Sequence, residues 1–550
     1  MQTAHGNIHL EIQTSRKNPV GILRTTYREN GKVKHSQHGR ISGCTLEQLK
    51  LLQSAFRGEV LPQSSPQALK ILHSKEYGAS AALLQLAKQL ELHRMIYSRT
   101  EPWVNDILAM VVGRVIFAGS KLSLCHQHKH SCLWELCGVE GAPDVEVHCY
   151  QAMDRLLARQ AAIQTRLAKR HIKSGHLVLY DITSSYFEGD YHESELVTFG
   201  YNRDGKKGHE QVVIGLVCSA EGCPIGIEVY PGNTKDSTTV IDKVQEIKTR
   251  YDIEKIIFVG DRGMITRSNL SALKDEEGLH TITALTHADI VQLLNRKVVN
   301  RDLFDEKNIH EVIDPNNPKK RYCLCRNPAT AQRESETRRR LLVLTAEGLE
   351  AIAHYQQKTT AEVLGARVGK LLAKYKMGKF VHWEINADAS HKTSNTHRLV
   401  WHFDEEKIAN EKRFDGCYII TTDVASSELA AVEVVAAYRK LMLVEQAFRN
   451  LKTVQLEVRP VYHKKDDRIR GHVFLCMLAY YLQWHLQQRL APLFEADGNG
   501  KDRRWTFRAV IDSLRQITRN KVRINGVEFY QNSELTEEQQ QIAKLLEAKL

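Results

Sequence analysis

No stretch of this 550-residue chain stays apolar for long enough to cross a bilayer, which takes about 20 residues of helix. The longest apolar run is FLCMLAYYL at 474–482, and ILAMVVGRVIFAG at 107–119 is broken by Arg114. No membrane role is expected. The opening MQTAHGNIHLEIQTSRKNPV has no apolar core followed by a cleavage site, so it does not read as a secretory leader. Nor is there a disulfide framework: the eleven cysteines are odd in number and spread along a large chain, as reduced thiols are. Cys125, Cys132 and Cys137, with His126, His128 and His130 between them, lack the paired short spacing of a zinc finger, and a helical segment with a polar turn is the expectation there. With 42% hydrophobic residues, disorder is not expected to dominate. What the chain has in excess is positive charge. Its 77 Lys and Arg against 65 Asp and Glu give +12, which points to a polyanionic partner, although charge alone does not separate nucleic acid from an anionic membrane surface.

The length exceeds what one core organises, so several units are expected. Residues 1–65 alternate in short strands around Asn30–Lys32 and end in a helix, TLEQLKLLQSAF, giving a small β-rich element. Residues 66–170 turn helical, with apolar positions three and four apart and a Lys-, Arg- and His-rich surface suited to DNA contact. From 171 to 286 the rhythm changes to apolar strands, HLVLYDIT, EQVVIGLV and KIIFVGD, interleaved with helices, as in a mixed α/β sheet. Residues 287–417 lose that regularity. Their strand-like pieces RYCLCR, RRLLVLT and KFVHWEINA surround a helical segment, TAEVLGARVGKLLAKYK, and predict an insertion rather than a continuation of the sheet. Sheet character returns over 418–490, and 491–550 reads as a basic, helical tail. Within it, 501–523 holds eight Lys or Arg against two Asp, either a phosphate-contacting surface or a solvated helix.

Two apolar strands run into aspartates, Asp181 after LVLY and Asp261 after IIFVG, and both are read as strand ends, where α/β sheets present ligands. Taken singly, each fits a helix cap equally well. The stretch YRKLMLVEQAFRNLK at 438–452 is amphipathic: Leu441, Val444, Phe448 and Leu451 form one face, while Tyr438, Glu445, Arg449 and Lys452 share a neighbouring one. An ion pair on a solvated face would explain the second set. Three carboxylates converging on one crevice would instead suit two divalent ions that hold a phosphodiester.

YDITSSYFEGD, GNTKDSTT, VGDRGMIT and YRKLMLVEQAFRNLK resemble the successive motifs of bacterial insertion-sequence transposases of the DDE type, in the group with the YREK signature. The resemblance covers roughly 176–490. It implies an RNase H-like catalytic core, a mixed sheet flanked by helices and interrupted by a mainly β insertion, with Asp181, Asp261 and Glu445 as catalytic, metal-binding residues. Two Mg2+ ions per site, replaceable by Mn2+, are implied, as are terminal inverted repeats and target DNA as partners, a homodimer on DNA, and a cytoplasmic, nucleoid-associated bacterial protein. Tyr438, Glu445 and Lys452 fall in the signature's register, but Leu441 stands where it has arginine. Arg439 or Arg449 is left to supply that cation, and Arg449, Lys452 and Tyr438 to contact DNA.

Arg262 is read as a phosphate contact or a surface residue, and Asn233 and Asp236 as loop-ordering groups or as a turn and helix cap. Trp383 and Trp401 either stack on an unpaired base or pack a strand. The expected activity is end cleavage and joining of 3′-hydroxyls to target DNA. The rivals are a nuclease of the same fold and an inactive DNA-binding derivative.

Overall fold

The computed structural model describes residues 8–14, 18–29, 31–57, 69–173, 175–201, 203, 205, 208–235, 255–261, 264, 278–305, 308–354, 359–387, 397–454, 456, 461, 463–498, 503–524 and 527–550. Near the N-terminus, β1 (Ile8–Gln13), β2 (Val20–Glu29) and β3 (Lys32–Ile41) form an antiparallel sheet. Helix α1 (Leu46–Phe56) starts at a Thr45–Gln48 capping box and buries Leu49 on that sheet.

β4 (Leu69–Glu76) leads into a helical layer: α2 (Gly78–Gln89), α3 (Leu92–Ile96), α4 (Pro102–Phe117), α5 (Lys121–His126), α6 (Leu133–Leu136), α7 (Ala152–Leu157) and α8 (Gln160–His171). The Cys125–Cys137 segment is helical, as expected, and its three cysteines are buried. No single helix among the described residues is long and apolar enough to cross a membrane.

The central sheet gathers β5 (Leu177–Tyr186), β6 (Gln211–Ser219), β7 (Pro224–Pro231), β8 (Ile256–Val259), β9 (Leu279–Ala284), β10 (His310–Asp314), β11 (Asn317–Arg326) and, further on, β14 (Cys417–Thr422). Their order is β10-β11-β14-β9-β8-β5-β6-β7. The β5–β8 and β8–β9 pairs are parallel and the others antiparallel. Every residue of β6 and β8 is buried, as their apolar runs VVIGLVC and IIFV require of strands covered on both faces.

Three expectations are corrected. First, 287–417 is not a mainly β insertion apart from the sheet. After α9 (His287–Asn295), β10 and β11 extend the central sheet through β14. The longest elements that follow are α10 (Pro328–Ala353) and α11 (Ala361–Tyr375), the latter being the helix expected from TAEVLGARVGKLLAKYK. The RRLLVLT piece lies inside α10, which Asn327 caps by accepting from Thr330 N at 3.2 Å and Pro328 opens; its arginines and leucines are good helix formers, and only Val343 and Thr345 are β-branched. Only β12 (Val381–Ala387) and β13 (His397–Phe403) form a separate hairpin. Trp383 faces Trp401 across it, and Trp401 packs into a small core with Leu349, Val368 and Leu372. Helix α12 (Glu405–Lys412) then leads to β14.

Second, Asp181 is not at a strand end. β5 pairs with β8 only over Leu177–Leu179 but with β6 as far as Tyr186, so the strand continues five residues past the aspartate on one-sided pairing. Third, the C-terminal region is not simply helical. After α13 (Ala431–Arg439), α14 (Leu441–Arg449), α15 (Asp466–Ala496) and α16 (Phe507–Arg515), β15 (Thr518–Ile524) pairs with both β16 (Val527–Asn532) and the distant β4, before α17 (Glu537–Leu545) closes the chain. Much of the basic excess there is locally compensated: Arg504 pairs with Glu538, and Lys521 and Arg523 pair with Glu528. Helix α15, apolar on nearly every side between Ile469 and Leu486, is the beam between β7 and helices α4 and α7.

Candidate active site

Three elements converge at the middle of the sheet. β5 carries Asp181, the segment after β8 carries Asp261, and α14, packed on β5, carries Glu445. The expected apolar face of this helix is buried: Leu441, Val444, Phe448 and Leu451 are each at most 8% exposed. That anchoring leaves Glu445 exposed on the neighbouring face. Asp181, Asp261 and Glu445 all line one cleft of about 780 Å³. Tyr438, Arg439 and Leu441 border it as well.

The electrostatics register this proximity. Burial pushes the Asp181 carboxyl up to about 7; Ile182 N–H, donating to its Oδ1 at 2.8 Å, opposes the rise, and the charges of Asp261 and Glu445 add to it. Such a cluster is the electrostatic state that a divalent cation relieves. Its donors are all hard carboxylate oxygens, which suit an oxygen-preferring ion rather than a thiolate-seeking one.

Around the acids, the Tyr438 hydroxyl donates to Asp261 Oδ1 at 3.0 Å, and Lys452 Nζ donates to Thr183 Oγ1 at 2.6 Å, two residues along β5 from Asp181. Helices α13 and α14 meet at Lys440, whose φ of −65° and ψ of −13° keep the chain near helical geometry through the bend. Arg439 lies on the cleft wall and donates to the Tyr418 hydroxyl at 3.1 Å. Arg449 is exposed on α14 and is not part of that wall. Asn233 sits in the turn after β7, its N–H donating to Thr198 Oγ1 at 3.1 Å, away from the cleft lining. Arg262 and Asp236 lie outside the described residues.

The far wall comes from the inserted segment and was not foreseen. Arg333, Glu334 and Arg338 on α10 line the same cleft as the acids, with Arg338 held by both oxygens of Asp415. The signal was present in the Asn-Pro helix start and the run of arginines at 338–340, which one helix carries past the cleft.

No curated protein matches the chain significantly. A family model described as a transposase DDE domain matches residues 178–482, from the second residue of β5 into α15, and so spans all three acids. The mixed sheet with its covering helices agrees with an RNase H-like transposase fold. With more than half of its length matched, the chain belongs to the transposase DDE domain family.

Proposed function

We propose that the protein binds the terminal inverted repeats of its own mobile element, cleaves the DNA there and joins the freed 3′-hydroxyls to target DNA. The observation that carries this reading is the shared cleft: Asp181, Asp261 and Glu445 come from three separate elements to one wall, close enough for two of the charges to act on the third. These three carboxylates are the residues that would hold divalent ions, Mg2+ by preference and Mn2+ in its place. When bound, such ions supply an activated oxygen nucleophile and neutralise charge on the leaving oxygen.

The chain's own groups do the positioning. Asp261 is oriented by the Tyr438 hydroxyl. Arg439 supplies the cation that Leu441 does not, because it borders the cleft. Lys452 anchors β5 beside Asp181 and presents a charge toward phosphate. Arg333, exposed on the cleft lining, guides the DNA backbone there, while Arg338 is held by Asp415. Both ends must be held for joining, and the family resemblance implies that a homodimer assembled on DNA holds them.

The test is strand transfer with pre-cleaved element ends, taken from inverted repeats flanking the coding region, and Mg2+. Asp181→Asn, Asp261→Asn and Glu445→Gln are each expected to reduce joining by roughly 10³-fold or more while DNA binding persists. Hydrolysis without joining would favour a nuclease, and unchanged activity in the three variants would overturn the assignment.

A further inference from the structure

Outside the cleft, the end of α8, the turn between β6 and β7, and the middle of α15 bring together His171, Cys223 and His485. One potential ligand atom from each lies within 4.8 Å of the other two, the sole such convergence of three His, Cys, Asp or Glu side chains among the described residues. Cys223 is fully buried, and its thiol makes only a weak contact, 3.9 Å, to Pro224 O. His485 Nε2 is buried with no hydrogen-bond partner among the described residues, an arrangement that costs stability. The Tyr481 hydroxyl lies 3.0 Å from His171 Nε2, the type of outer partner that fixes the ring of a ligating histidine.

We propose that His171, Cys223 and His485 form a second metal site, distinct from the carboxylate cleft, for a borderline d-block divalent cation, zinc foremost. One thiolate and two imidazoles are a donor set for such an ion rather than for magnesium. A water, or the nearby Glu221 carboxylate that now accepts from Ser219 Oγ at 2.8 Å, completes four-coordination. Burial lowers both histidines, His171 to about 4 and His485 to about 3, so each imidazole is neutral and able to donate a lone pair at physiological pH. Burial also keeps Cys223 a thiol when no metal is bound. Binding therefore forms a metal–sulfur bond and releases the thiol proton to solvent, which makes affinity rise with pH.

The role is structural. The ion ties together the helical layer, the long helix and a hairpin turn, adding to the packing and the Tyr481–His171 hydrogen bond between them. Gly222, next to Cys223, packs so tightly on α14 that an added Cβ would come within 2.9 Å of Leu443 Cβ, two residues from Glu445. A braced turn thus supports the back of the glutamate helix.

The experiment is titration of metal-stripped, full-length protein with Co2+, followed by absorption. The expected result is a thiolate-to-cobalt charge-transfer band with intense visible bands of four-coordinate cobalt, saturating at a single equivalent and erased by Zn2+. Carboxylate-bound cobalt in the cleft gives no thiolate band, so Asp261→Asn should leave the signal intact whether or not the catalytic reading holds. Cys223→Ser should abolish it. Because Cys223 is buried, His485→Gln is measured alongside: it keeps the thiol, and loss of the band with unchanged far-UV circular dichroism assigns the loss to the missing ligand. No band in the wild-type protein, or a band that survives in Cys223→Ser or His485→Gln, overturns the site.

Discussion

At the scale of single residues, the account turns on Asp181. Its carboxyl is raised from the ordinary aspartate range to about 7 by burial, with Asp261 and Glu445 adding to the shift. Below about pH 4 the group is protonated in both folded and unfolded chains, and it costs nothing. Between about 4 and 7 the unfolded chain binds fewer protons than the folded one, so stability falls as pH rises, and the penalty is complete above 7. Asn at this position keeps an oxygen to accept from Ile182 N–H but carries no charge. In EDTA, Asp181→Asn is therefore expected to stabilise the protein at pH 8 by about 2 kcal/mol, half the full linkage value because the carboxylate is partly solvated, and to be nearly neutral at pH 4. Urea unfolding at the two pH values checks this. Adding Mg2+ should reverse the order at pH 8, because the wild-type protein then gains binding free energy that the variant forgoes.

At the scale of elements, the glutamate helix was the most legible part of the sequence. The spacing of Leu441, Val444, Phe448 and Leu451 fixed its buried face and put Glu445 on the neighbouring, exposed one. Sequence could not choose between Arg439 and Arg449, because that depends on how the chain turns at Lys440, a tertiary matter. The structure places Arg439 on the cleft and Arg449 off it. Arg439→Ala is accordingly expected to slow strand transfer by roughly 10- to 100-fold, the worth of a charge-assisted contact to phosphate, whereas Arg449→Ala should change it less than about twofold. Rates measured with saturating DNA ends separate the two. β5 was legible as a buried strand from its apolar run, but its length was not. Asp181 resembled a terminus because the parallel neighbour stops at Leu179, while pairing with β6 carries the strand on to Tyr186.

At the scale of the whole molecule, local pattern carried less. The pairing of β15 with β4 joins segments more than 440 residues apart, and no periodicity announces it. The inserted segment misled for a local reason: RRLLVLT read in isolation suggested a strand, but it continues a helix whose capped start lies upstream at Asn327. That helix makes the cleft two-sided. Arg333, exposed on its far wall, has no place in the fold's interior. Arg333→Ala should leave the melting temperature within about 2 °C of wild type, yet weaken DNA binding uniformly across sequences and reduce the slope of log K against log salt by about 1, as fluorescence anisotropy at several salt concentrations will show. The measurement that bears most directly on the central claim is anomalous diffraction from crystals soaked in Mn2+. The account predicts manganese peaks ligated jointly by Asp181, Asp261 and Glu445. Peaks confined to other acidic surfaces, with these three carboxylates bare, would contradict it.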